Sequence, residues 1–163
     1  EELEQFFNNH DCLNASLLPF DKETDLNPSG GINVSMMKCL LRVEPLQTPL
    51  LSHLVEQLNE LGDTTQSDLP HLLLREIRWL EHIEDPRALT DKLLEVLDAG
   101  ACSVPLQREI ISFIPEVICD DFELVVAERM ASLFEANDEL LVPALDALTQ
   151  LTLPSELLLS LSE

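Results

Sequence analysis

From residue 50 onward the apolar side chains return with the period of an α-helix, run after run, and only a few residues separate one run from the next. Leu50, Leu51, Leu54, Leu58 and Leu61 form one stripe; Leu69, Leu72, Leu73, Ile77, Leu80 and Ile83 form a second; Leu89, Leu93, Leu94 and Leu97 a third. Spacings of three and four residues put such side chains on one helix face, whereas a half-buried strand alternates at every second position. Further helices are expected over 106–118, 122–135 and 139–151, and strands find no home. Short helices joined by very short connections must turn back on each other as antiparallel hairpins. The expected class is all-α.

Local signals agree with these runs. Ser67 or Asp68 caps the helix that carries Pro70 in its first turn, and Gly62 and Gly100 follow two apolar runs as C-caps. The stretch "DKETDLNPSGG" is the best loop, closing a less regular region over 1–31. Aromatic residues make up only 4% of a chain that is 45% hydrophobic, which suits helices packed through Leu, Ile and Val. A chain of 163 residues buries enough surface to need no staple.

The tripeptide Arg-Glu-Ile occurs at 75–77 and again at 108–110, read here as the first helix of successive pairs. A repeat in the thirties is the signature of a stacked helical solenoid. The tetratricopeptide pattern fails for want of Tyr, and the ankyrin Thr-Pro-Leu-His signature is absent. What remains is an α-solenoid of stacked antiparallel helix pairs, HEAT-like or armadillo-like with degenerate repeats, running as one segment over 1–163 with the stacked pairs in 32–163. The chain does not begin with Met, and "PSELLLSLSE" ends on an unmatched apolar face, so a piece of a longer chain is expected. Pro115 interrupts the stripe Ile110, Ile111, Ile114, Val117 and Ile118, and a mid-helix proline costs about 3 kcal/mol unless compensated. Pro115 is expected to bend or split its helix, with Pro143 acting alike.

Charge excludes one class of function. With 31 acidic against 9 basic residues the formal net charge is -22, and the basic residues are dispersed along the chain. Affinity for nucleic acid comes largely from neutralised phosphates, so this segment is expected not to bind duplex DNA alone. No run is apolar and long enough to cross a membrane, and no signal peptide is visible.

Catalytic signals are missing too. His10, His53, His71 and His82 form no i, i+4 pair, and the neighbours His10, Asp11 and Cys12 point apart. Cys12, Cys39, Cys102 and Cys119 show no C-x-x-C spacing and read as reduced minor core residues. Glu84-Asp85 and Asp120-Asp121 read as helix caps at turns, and Gly30-Gly31 precedes no phosphate-loop lysine. No metal, cofactor or enzymatic activity is expected. Trp79 sits beside the second stripe and is expected to be a partly buried packing residue, with partner anchoring as the alternative.

Three motifs in register carry a resemblance: Arg78-Trp79-Leu80, Ile114-Pro115-Glu116-Val117-Ile118, and Val142-Pro143-Ala144-Leu145-Asp146-Ala147-Leu148. In order and spacing they resemble the N-terminal helical solenoid of the Fanconi anaemia group D2 family, and "EELEQFFNNHDCL" and "LLRVEPLQTPLLSHLVEQL" extend the likeness more loosely over nearly the whole chain. The resemblance implies a nuclear, non-enzymatic scaffold of DNA interstrand cross-link repair. It implies pairing with the paralogous Fanconi anaemia group I protein as a clamp on duplex DNA, locked by monoubiquitination, with DNA held by other parts of the full protein. The acceptor lysine of that family lies downstream, so Lys22, Lys38 and Lys92 are not expected to be it. The stretch 92–135 resembles a proposed ubiquitin-binding module whose paired leucines fall on Leu133 and Phe134 and whose proline lies about two places from Pro105. These three are the candidate contacts for ubiquitin or another partner. The alternative functions are an autonomous ubiquitin or short-helix receptor, and a generic HEAT-like adaptor.

Overall fold

The computed structural model describes residues 9–18, 34–61, 68–100 and 102–151. Among them lie eight α-helices and no β-strand: α1 (His10–Leu17), α2 (Met36–Leu41), α3 (Glu44–Leu61), α4 (Leu69–Arg78), α5 (Pro86–Ala99), α6 (Val104–Val117), α7 (Glu123–Ala136) and α8 (Leu141–Gln150). Single 3-10 turns at Asp120–Phe122 and Asp138–Leu140 lead into α7 and α8.

Packing partners define the architecture. The α3 helix packs on α4, α5 on α6, and α7 on α8; each also packs on the helix two places along, α3 on α5 on α7 and α4 on α6 on α8. Helices α3, α5 and α7 therefore form one layer and α4, α6 and α8 the other, which is the two-layer stack of an α-solenoid. At the N-terminal end α1 packs on α2 and α4, and α2 on α3.

A helix inside such a stack has neighbours on either side and across, so its buried face must be wide. That is why α6 buries Leu106, Ile110, Ile111, Phe113, Ile114 and Val117, and why Leu74 and Val96 are buried beyond the narrower stripes expected for α4 and α5. The second stripe outlasts its helix. Beyond Arg78, Leu80 and Ile83 are partly buried against the core from a non-helical connection. Because residues 79–85 pack this way instead of closing a tight turn, α4 and α5 are not a hairpin. The Arg-Glu-Ile tripeptides consequently lie on α4 and α6, the second helices of their pairs, which corrects the pairing expected from spacing.

The prolines also behave differently from expectation. Helix α6 is continuous through Pro115 and ends two residues later, where Ile118 turns extended and its N–H reaches the Ile114 carbonyl at 3.1 Å. Pro115 does not split the helix, because it sits in the last turn. Pro143 is the third residue of α8, where the backbone N–H has no intrahelical acceptor to lose. Pro49 lies inside α3.

Only some caps follow the sequence signals: the acidic pair at 120–121 falls in the 3-10 turn Asp120–Phe122, and the cap position of α7 falls on Phe122 with no side-chain cap bond. Asp85 accepts from the Ala88 N–H at 2.9 Å ahead of Pro86, so of the acidic pair at 84–85 it is Asp85 that serves as the expected cap. Asp68 stands at the cap position of α4 without a side-chain cap bond; Ser67 and Gly62 lie outside the described residues. Gly100 closes α5 in the left-handed region at φ 62°, with its N–H 3.1 Å from the Leu97 carbonyl. An added Cβ there meets nothing within 4 Å, so Gly100→Ala tests backbone conformation alone. The expected loss is about 1 to 2 kcal/mol, read from the denaturant midpoint.

Of the four cysteines only Cys102 is buried; Cys119 is half-buried, while Cys12 and Cys39 are exposed, contrary to a core reading. All four are free thiols. Burial raises the pKa of Cys102, whose Sγ lies 4.0 Å from the Leu58 carbonyl. Cys12 and Cys39 lie on faces of α1 and α2 that no described helix covers, and one apolar neighbour in sequence does not fix a face.

Candidate interaction surface

The ion pairs of the stack run between same-layer neighbours. Arg78 pairs with Glu116 and His71 with Glu109 at 3.1 Å, both from α4 to α6; Lys92 reaches Glu56 at 3.2 Å from α5 to α3. Arg129 on α7 pairs with Asp98 on α5, and Arg108 on α6 donates to the Glu139 carbonyl at 3.2 Å. These partners are 31 to 38 residues apart, the same repeat that the Arg-Glu-Ile tripeptides suggested. Exposed pairs of this kind contribute about 0 to 1 kcal/mol each, so they steady the register of neighbouring repeats more than they stabilise the fold.

One region departs from this pattern. Where α2, the start of α3 and the 79–85 connection meet, a cavity of about 920 Å³ opens to solvent. Trp79 lines it and is 68% exposed, which corrects the partly buried role expected of it. The cause is local: α4 stops at Arg78, so Trp79 is the capping residue, with its N–H 3.2 Å from the Arg75 carbonyl, and is no longer on the helical face. Lys38 on α2 places its Nζ 4.9 Å from the centre of the indole ring. Arg42, Arg75 and the buried Leu41 complete that side of the groove.

Two buried polar side chains hold the groove in shape, and neither stood out in the sequence. Gln47 donates to the Leu41 carbonyl at 3.1 Å and the His82 carbonyl at 2.9 Å, and accepts from the Glu84 N–H at 2.7 Å, tying α2, α3 and the 79–85 connection together. Glu76 is 1% exposed and accepts from the Ser35 hydroxyl at 2.5 Å; Ser35 in turn caps α2 by accepting from the Lys38 N–H at 3.1 Å. The one signal available was the tripeptide repeat, but it misleads, since the equivalent Glu109 is exposed and paired with His71.

The residues marked for ubiquitin or partner contact are divided between α6 and α7. Pro105 is exposed as the second residue of α6. Leu133 is partly buried and packed against the core near the end of α7. Phe134 has its backbone in α7, and its side chain lies outside the described residues. Among the described residues no three His, Cys, Asp or Glu side chains gather as a metal ion would require, and no helix is long and apolar enough to cross a membrane.

The three motifs in register all fall on one layer, at the ends of α4 and α6 and within α8. A family model described as "Fanconi anaemia protein FancD2 nuclease" matches residues 1–163. The chain belongs to the Fanconi anaemia group D2 family. Its relatives include the Fanconi anemia group D2 protein of Gallus gallus, 33% identical over 128 residues that cover 76% of this chain and 9% of that protein. The Fanconi anemia group D2 protein homologs of Rattus norvegicus and Mus musculus are each 27% identical over 157 residues, covering 93% of this chain and 11% of theirs. The chain thus spans 9 to 11% of the length of these group D2 relatives.

Proposed function

We propose that this chain is the N-terminal part of a nuclear, non-enzymatic scaffold in DNA interstrand cross-link repair, pairing with the Fanconi anaemia group I protein as a clamp on DNA that monoubiquitination locks. The observation that carries this reading is the two-layer solenoid, matched by the group D2 family along its full length, whose charged side chains tie successive repeats together. A net charge of -22 leaves duplex binding to other parts of the full protein. The acceptor lysine belongs elsewhere as well: Lys38 lies against Trp79 and Lys92 against Glu56. The rival reading, a ubiquitin receptor through Pro105, Leu133 and Phe134, is weakened because Leu133 is packed against the core.

Titration with the group I protein and, separately, with ubiquitin, monitored through backbone amide shifts, tests the proposal. Shifts spread over several helix pairs with the group I protein and none with ubiquitin are expected. Shifts confined to 105–135 with ubiquitin would replace the scaffold by the receptor, and strong duplex binding at physiological salt would overturn the division of labour.

A further inference from the structure

Cations are scarce here, and their use is uneven. Arg78, Lys92, Arg108 and Arg129 each face a carboxylate of a neighbouring element, and Arg87 lies over the Phe122 ring at 5.0 Å. Lys38 and the exposed Arg42 have no ion pair among the described residues, and Arg75 meets the buried Glu76, whose Oε1 lies 3.5 Å away while its Oε2 accepts from Ser35. All three line the cavity that holds the most exposed large apolar side chain of the described residues, Trp79. In a chain of 31 acids and 9 bases each cation should find a carboxylate, yet Lys38 meets the Trp79 ring at 4.9 Å and neither it nor Arg42 has a carboxylate partner among the described residues.

We infer that the Trp79 groove is a docking site for a short acidic segment of a partner protein, one carrying an apolar side chain beside its carboxylates. The indole supplies a flat apolar surface with its single N–H as a donor, the pairing of properties that makes tryptophan a frequent anchor at interfaces. Lys38 and Arg42 supply the charge complement, and the surrounding excess of negative charge rejects acidic chains that cannot reach them. Glu44, Glu81 and Glu84 also line the groove, with Glu84 turned to His82 at 3.3 Å, so the cationic side is narrow and the matching carboxylates must be few and closely spaced. Gln47 fixes the connection that carries the site, which makes it a positioning residue.

This docking stands apart from pairing with the group I protein, and either can fail without the other. Trp79 is the sole tryptophan, so its emission in the intact chain reports occupancy. The probes are two pools of amidated octapeptides, one built from Asp, Glu, Leu, Phe and Ser, the other with Lys and Arg in place of the acids. The acidic pool is expected to change the emission saturably and less so in high salt, and the basic pool to leave it alone. Lys38→Glu and Arg42→Glu should each weaken binding by about tenfold or more. Trp79→Ala, assayed by anisotropy of labelled acidic peptides, should lose binding with its helical circular dichroism intact. An equal response to the basic pool, no saturable response, or unchanged affinity in both charge reversals would overturn the inference. So would a response to oligothymidylate in place of the peptides, or an emission change on concentrating the protein alone, which would make a second copy the occupant.

Discussion

Phe113→Ala is expected to lower stability by about 3 to 5 kcal/mol, the largest effect of any single truncation among the described residues. Phe113 is 2% exposed on α6, and α6 packs on α5 across the layers and on both α4 and α8 within its own. The truncation therefore removes contacts in the middle of the array and leaves a cavity that the rigid neighbours only partly fill. Its consequence in a stacked fold differs from that in a globular one. Stability in a solenoid is close to a sum of repeat terms and nearest-neighbour interfaces, so weakening α6 uncouples the helices before it from those after it. Urea unfolding monitored by helical circular dichroism should shift to a lower midpoint and broaden, with α1 to α4 outlasting α7 and α8 in amide exchange. A single sharp transition with uniform loss of protection would show instead that the described helices unfold as one body.

The helices were legible in the sequence because burial in a two-layer stack is periodic, and the Leu and Ile stripes of α3 to α6 record it directly. What periodicity does not encode is which neighbour a stripe faces. The second stripe looked helical through Ile83, but a stripe is only a set of apolar positions, and Leu80 and Ile83 meet the core from a connection held by Gln47. The same gap hid the groove. Lys38 and Arg42 are far from Arg75 along the chain, yet α2 and the end of α4 bring the three to one wall. The exposure of Trp79 depends on the helix stopping one residue earlier, which the apolar spacing does not encode. Membership of the Fanconi anaemia group D2 family was legible for a different reason: it rests on motifs in register, which survive even where the role of each residue is misread.

Ser35→Ala is expected to lower stability by about 2 to 4 kcal/mol, far more than losing a hydroxyl at an ordinary helix end. The hydroxyl accepts from the Lys38 N–H as the cap of α2, a contribution of about 1 kcal/mol, and it also donates to the Glu76 carboxylate. Without it, the buried Glu76 keeps only Arg75, 3.5 Å away and itself about half exposed. A buried charge stripped of its partner is penalised more heavily than the pair ever stabilised, so the second term should exceed the first. Repeating Ser35→Ala in a Glu76→Met background separates the two: with no buried charge left to strand, the loss should fall to the capping term alone. Equal losses in both backgrounds would mean that the Glu76 carboxylate draws nothing from Ser35. The same pair of variants bears on the groove, since Ser35 sets the first turn of α2 and with it the position of Lys38 over Trp79. Ser35→Ala should therefore alter Trp79 emission in the folded state, whereas Phe113→Ala, which leaves Ser35 and the first turn of α2 in place, should leave it unchanged until the chain unfolds.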